Sequence, residues 1–162
     1  MYNFDIYTIG VYASTEDSFF RKLIQNNIDT FCDIRQRRGV RGSQYSYVNS
    51  LYLQNKLKEI GINYIYAKEL APTNEIREKQ HIEDALKGIQ KKNRRELSIA
   101  FRRAYKDLIL NDFDFTFLLY TLQRLSCKKV AFFCVEENPF ACHRSLVATE
   151  LHNKYNLKLR HL

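Results

Sequence analysis

Residues 130–155 read VAFFCVEENPFACHRSLVATELHNKY, and the pattern changes character twice. The apolar run from Val130 to Val135 has the length and composition of a strand buried on both faces. A polar loop stiffened by Pro139 follows, and Cys142 to Tyr155 then reads as a helix, with a last short strand expected over 157–162. A fully buried strand followed by a helix is the repeating unit of a parallel sheet, because crossover helices are what cover both of its sides.

The same alternation runs upstream. Residues 4–11, FDIYTIGV, suit a first strand ending near a glycine. Ser14 and Thr15 followed by Glu16 and Asp17 mark a helix start, and Phe19, Phe20, Leu23 and Ile24 continue it toward Asn26-Asn27. Residues 28–34 form a second strand candidate that delivers Asp33 and then Arg35 into a basic loop. From Tyr47 to Ile60, Leu51, Leu53, Leu57 and Ile60 predict a helix closed by Gly61, with a third strand at 62–66. Between about 74 and 126 the pattern is helical and charged, with apolar sets Ile82, Leu86 and Ile89, then Leu97, Phe101, Tyr105 and Leu108, then Phe115, Leu118, Leu119 and Leu122. The expected architecture is a single three-layer α/β domain over 1–162, with a mainly parallel central sheet, helices on both faces and a helical insertion at about 74–126.

At 162 residues the chain is long enough to bury roughly 70% of its unfolded surface, so it folds without staples. The first residues lack the basic segment and apolar run of a signal peptide, and no stretch of about 18 apolar residues occurs, so no membrane partner and a cytoplasmic location are expected. The four cysteines, Cys32, Cys127, Cys134 and Cys142, are then expected as thiols. A net charge of +8 favours anionic partners, either small molecules or nucleic acid. Oligomeric state is not legible.

In open parallel sheets, ligands sit beyond the carboxyl ends of the strands. Asp33 and Glu136 fall at two such ends. Cys142-His143-Arg144 opens the helix that follows Glu136, and the free N–H groups and dipole there suit either a nucleophilic thiolate or an anion cradle. Arg144 offers a fork-shaped donor for the same anion. The plainer reading has Cys142 and His143 in a tight turn and Arg144 ion-paired to Glu136 or Asp33. Cys134, in an apolar strand, and Cys127 read more simply as small hydrophobes. Cys134, Cys142 and His143 match no common zinc spacing, so no metal is expected. Arg35, Arg38 and Arg41, with Gly39 and Gly42, form a cationic loop suited to phosphates, and Tyr45 adds an aromatic face for a base. Glu69 is a further candidate acid. The chain carries none of the glycine-rich phosphate or dinucleotide fingerprints nor a serine elbow, and no cofactor is expected.

Thr8-Ile9-Gly10, Asp33-Ile34-Arg35, Gly61-Ile62-Asn63-Tyr64 with Glu69-Leu70, and above all the Cys134-to-Arg144 segment together resemble the domain-of-unknown-function 488 family. The resemblance spans nearly the whole chain and implies a compact α/β fold with a shared polar site. Val11-Tyr12 stands where the family more often has His-Ser, which removes one candidate acid or base. The longer Arg37-to-Gly42 loop, together with Glu69-Leu70-Ala71-Pro72-Thr73, marks a subgroup.

These features point to an enzyme acting on a phosphorylated, nucleotide-like or nucleic-acid substrate. Glu136 and Asp33 serve as the carboxylate pair, and Cys142 and His143 lie beside them. Arg35, Arg38, Arg41, Tyr45, Glu69 and Arg144 bind. Hydrolytic or glycosidase-like cleavage is compatible with such a set. A non-catalytic nucleotide or nucleic-acid binding module and a redox-sensing thiol protein are the alternatives.

Overall fold

A computed structural model describes all 162 residues. Its centre is a five-stranded sheet formed by β1 (Asp5–Ile9), β2 (Thr30–Asp33), β3 (Asn63–Tyr66), β4 (Lys129–Phe133) and β5 (Leu159–His161), in the order β3-β2-β4-β1-β5. Every neighbouring pair is parallel. The alternation of side chains along a strand divides the core between the two faces. Ile6, Cys32, Val130 and Phe132 point into one cluster and Tyr7, Phe31, Ala131 and Phe133 into the other. Each fully buried aliphatic or aromatic side chain contributes about 1.5–3 kcal/mol.

Helices α1 (Glu16–Gln25) and α2 (Ser50–Glu59) cover one face with Phe19, Phe20, Leu23, Leu53 and Leu57. Thr15 caps α1 in a reciprocal box with Ser18, and Gly61, at φ 76°, takes the left-handed position just after α2. The other face is covered by α4 (Ile99–Tyr105), α5 (Phe115–Arg124) and α6 (His143–Tyr155) through residues such as Phe101, Leu119, Leu122, Val147 and Leu151. Helix α4 continues into one widened π-type turn over Lys106–Leu110. The strands are one to three residues shorter at their ends than the apolar runs suggest, because the runs continue into loops that remain buried, such as Val11 and Ile34.

Helix α3 (Asn74–Lys87) departs from the expected orientation. Ile82 and Leu86, and Ile89 just beyond, are exposed, while Ile76, Gln80 and Asp84 are buried. Polar pairing explains the inversion. Gln80 accepts from the Ser98 backbone N–H at 2.8 Å and donates to Asp84 at 2.7 Å, and Arg94 donates to the Asp84 carboxylate. The inward face of α3 is thus fastened to residues 94–98 by hydrogen bonds. Leu51 and Leu108, both expected in apolar stripes, are likewise exposed.

The register sets what stands at the sheet's carboxyl edge. Asp33 aligns with Phe133, and Phe133 with Ile9. Gly10, Ile34 and Cys134 therefore leave three adjacent strands at one level. No helix is long and apolar enough to cross a membrane.

Candidate functional site

The three strand ends meet under a cavity of about 670 Å³, within the usual range for a small-molecule site. Its cations come from two directions. Arg35, Arg37 and Arg41 enter from the loop after β2, and Arg77, Lys91 and Arg94 from α3 and the segment after it. Glu136 is the one carboxylate among the lining residues; its side chain is 14% exposed and pairs with Lys91 at 3.2 Å. Cys134, Cys142 and His143 line the same space.

At the end of β2, Asp33 is fully buried and its oxygens are occupied. One accepts from the Arg35 backbone N–H (3.2 Å) and Nε (2.9 Å), the other from Arg35 Nη2 (2.8 Å) and the Tyr64 hydroxyl (2.9 Å). Arg35 also donates to the Val48 carbonyl at 2.9 Å and lies 4.6 Å over the Phe133 ring. Its Nη1 is buried with no protein partner. Arg35 is itself among the residues that line the cavity. Asp33 thus has no oxygen without a protein partner.

At the end of β4, Arg144 is fully buried and donates to two backbone carbonyls, those of Glu136 at 2.5 Å and Glu137 at 3.0 Å. The guanidinium is thus directed into the loop, in place of the ion pair with Glu136 or Asp33 that the plainer reading offers. Gly10 is required by the same contact. A Cβ there would stand 2.0 Å from the Glu136 carbonyl oxygen and 3.1 Å from Arg144 Nη2. Val11 and Tyr12 both donate to the Val135 carbonyl, so β1 and the loop after β4 are stitched together. Val11 enters the core and Tyr12 lines the cavity beside Tyr45, with ring centroids 5.2 Å apart.

Cys142 is the N-cap residue of α6, and its Sγ lies 3.8 Å from His143 Nδ1. The far nitrogen of His143, Nε2, is 3.0 Å from the Ile34 carbonyl. A carbonyl only accepts, so Nε2 carries the proton and Nδ1 faces the thiol. The Tyr105 ring packs against this imidazole, and its hydroxyl donates to the Leu70 carbonyl at 2.5 Å. Burial opposes charge on Cys142, but the hydrogen bond from Cys134, the adjacent His143 and Arg144 outweigh it and hold the thiol well below its ordinary range. The Cys134 thiol is pushed the other way, by that same hydrogen bond and by burial. Cys32 and Cys127 stand apart from it, buried among apolar side chains, and burial pushes the Cys127 thiol up to about 12.

Of the residues singled out from the sequence, Glu136, Cys142, His143, Arg35, Arg41 and Tyr45 line the cavity. Arg38 instead stacks 4.1 Å over the Tyr66 ring, and Glu69 is exposed on a turn after β3. The sequence reading set Cys134 aside as a small hydrophobe and left out Arg77, Lys91 and Arg94, which also line the cavity. Arg77, Gln80 and Asp84 recur at helical spacing, a polar stripe that could have signalled the inward face of α3.

No curated protein and no solved structure matches the chain. The family described as Domain of unknown function DUF488 matches over residues 15–151, which takes in β2, the cationic loop and the whole Cys134-to-Arg144 segment. With most of its length and all of its cavity-forming strand ends but Gly10 inside that match, the chain belongs to the DUF488 family.

Proposed function

We propose that the protein is an enzyme that acts on a phosphorylated, nucleotide-like or nucleic-acid substrate, with Glu136 as its acid–base group. The observation that carries this reading is the buried, unpartnered Nη1 of Arg35 in a cavity lined by cations and a lone carboxylate. An anionic group of the substrate binds Arg35 and the more exposed Arg41 and Lys91. Glu136, released from Lys91 by that competition, moves a proton at the bond to be broken. Tyr12 and Tyr45 offer a ring pair at which a base stacks. Cys142 and His143 complete the wall beside Glu136, while Asp33 and Arg144 hold the loops. Cleavage of a phosphoester or glycosidic bond fits this set, and a cytoplasmic, reducing setting suits its thiols.

The test is a mass-spectrometric screen of nucleotides, sugar nucleotides and short DNA and RNA against the wild type and Glu136→Gln. The expected result is turnover of one substrate class by the wild type, reduced about 10²–10⁴-fold in the variant with ligand binding retained. If both proteins bind the same ligand, with affinity falling steeply as salt rises, and neither alters it, the protein is a binding module instead.

A further inference from the structure

We propose that Cys134 Sγ, Cys142 Sγ and His143 Nδ1 form a three-ligand site for a thiophilic divalent cation, zinc first among them, with its fourth position open to the cavity. The three ligand atoms lie within 4.8 Å of one another, and their residues are 9%, 3% and 6% exposed. A tetrahedral zinc with bonds of about 2.0–2.3 Å needs ligand atoms roughly 3.5–4 Å apart. The Cys142–His143 separation of 3.8 Å already meets that, and small rotations of Cys134 supply the rest.

Three further features distinguish this from a chance cluster. The imidazole is fixed as metal-binding imidazoles are, with the remote Nε2–H given to a carbonyl, that of Ile34, and the near nitrogen turned to the thiols. The ligands come from two rigid places, the end of β4 and the first turn of α6, so the site is largely formed before any ion arrives. Charge also balances. Two thiolates could not both ionise in so buried a space by themselves, but with a divalent ion and a neutral imidazole the set is neutral. Sulfur and imidazole donors select zinc over magnesium or calcium. Only three protein ligands are present, so a water or a substrate oxygen takes the fourth position, on the same wall as Glu136 and Arg35. The site goes beyond the substrate reading and stands without it.

The test uses the full-length protein, reduced and stripped of metal, titrated with cobalt(II) and then zinc. One equivalent of cobalt is expected to give intense tetrahedral visible bands and sulfur-to-cobalt charge transfer, both displaced by zinc. Cys134→Ser and Cys142→Ser each lose the charge-transfer intensity and weaken zinc at least about tenfold, while Glu136→Gln keeps both. Should the serine variants fail to fold, protection of the wild type still decides the question. One equivalent of zinc is expected to slow alkylation of Cys142 by iodoacetamide at least tenfold. A pale octahedral cobalt spectrum without sulfur bands, or alkylation at the same rate with and without zinc, overturns the proposal. Nucleotide binding measured on the metal-free protein tests the substrate reading separately.

Discussion

The ends of β2 and β4 are neighbours in the sheet and present similar chemistry in sequence, a carboxylate followed by arginine, yet the fold uses them in opposite ways. At β2 the carboxylate is sunk and saturated: Asp33 accepts four bonds, and its arginine keeps one nitrogen without a protein partner. At β4 the arginine is sunk: Arg144 spends two bonds on the backbone carbonyls of the loop, and the carboxylate of Glu136 is left facing the cavity. On the proposed function, burial thus sorts holders from actors where residue type does not. A buried charge must be paired and hydrogen-bonded, so the fully buried member of each pair is the one committed to structure.

Breaking the β2 end should cost the most stability. Asp33→Ala leaves Arg35 buried without its counter-charge, and we expect a loss of about 3–5 kcal/mol in urea unfolding. A variant that unfolds at the wild-type urea concentration but loses all turnover would place Asp33 among the actors. The Asp84–Arg94 pair tests the same rule at the cavity roof. Burial alone would raise the Asp84 carboxyl, but Arg94 and Gln80 hold it below its ordinary range. A depressed carboxyl contributes fully above its unfolded value of about 3.9, and the contribution fades as pH falls through the lower folded value. Asp84→Asn should cost about 1.5–3 kcal/mol near neutrality and flatten that acid-side decline. An unchanged decline would show that other carboxylates carry it.

At the β4 end, Gly10→Ala drives a methyl group into the Glu136 carbonyl and should cost about 1–3 kcal/mol as the loop shifts, with ligand affinity falling alongside. The smallest stability effect belongs to Glu136→Gln, which removes only a partly exposed pair with Lys91 and should leave unfolding within about 0.5 kcal/mol. Stability retained with turnover lost is what separates an actor from a holder. Equal losses of both would dissolve the contrast.

Most of the fold was legible because apolar periodicity and capping residues report local structure directly. The parallel sheet, the cap at Thr15 and the left-handed Gly61 follow from sequence alone. The direction of long polar side chains was not. Arg144 reads equally well as an anion binder, an ion-pair partner or a clamp on carbonyls, and only the path of the 136–137 backbone decides among them. The inward face of α3 escaped because its stripe is polar, and hydrophobic periodicity chooses Ile82 and Leu86 instead. Cys134 reads as another core residue because it lies within the apolar run Val130–Val135, whereas it stands one step beyond β4 and lines the cavity.

The strand order has a consequence for synthesis. β4 lies between β1 and β2, although more than ninety residues separate it from either in the chain. As the chain leaves the ribosome, β2 and β3 can pair, but β1 has no neighbour to dock on until residues 129–133 emerge. The sheet closes from its middle, late, and a truncated or stalled product keeps an open slot with unpaired strand edges on both sides. Such intermediates are prone to aggregation. Cys134, Glu136 and Cys142 follow β4 directly, so they emerge only after the strand that joins β1 to β2, and before β5 is added at the edge.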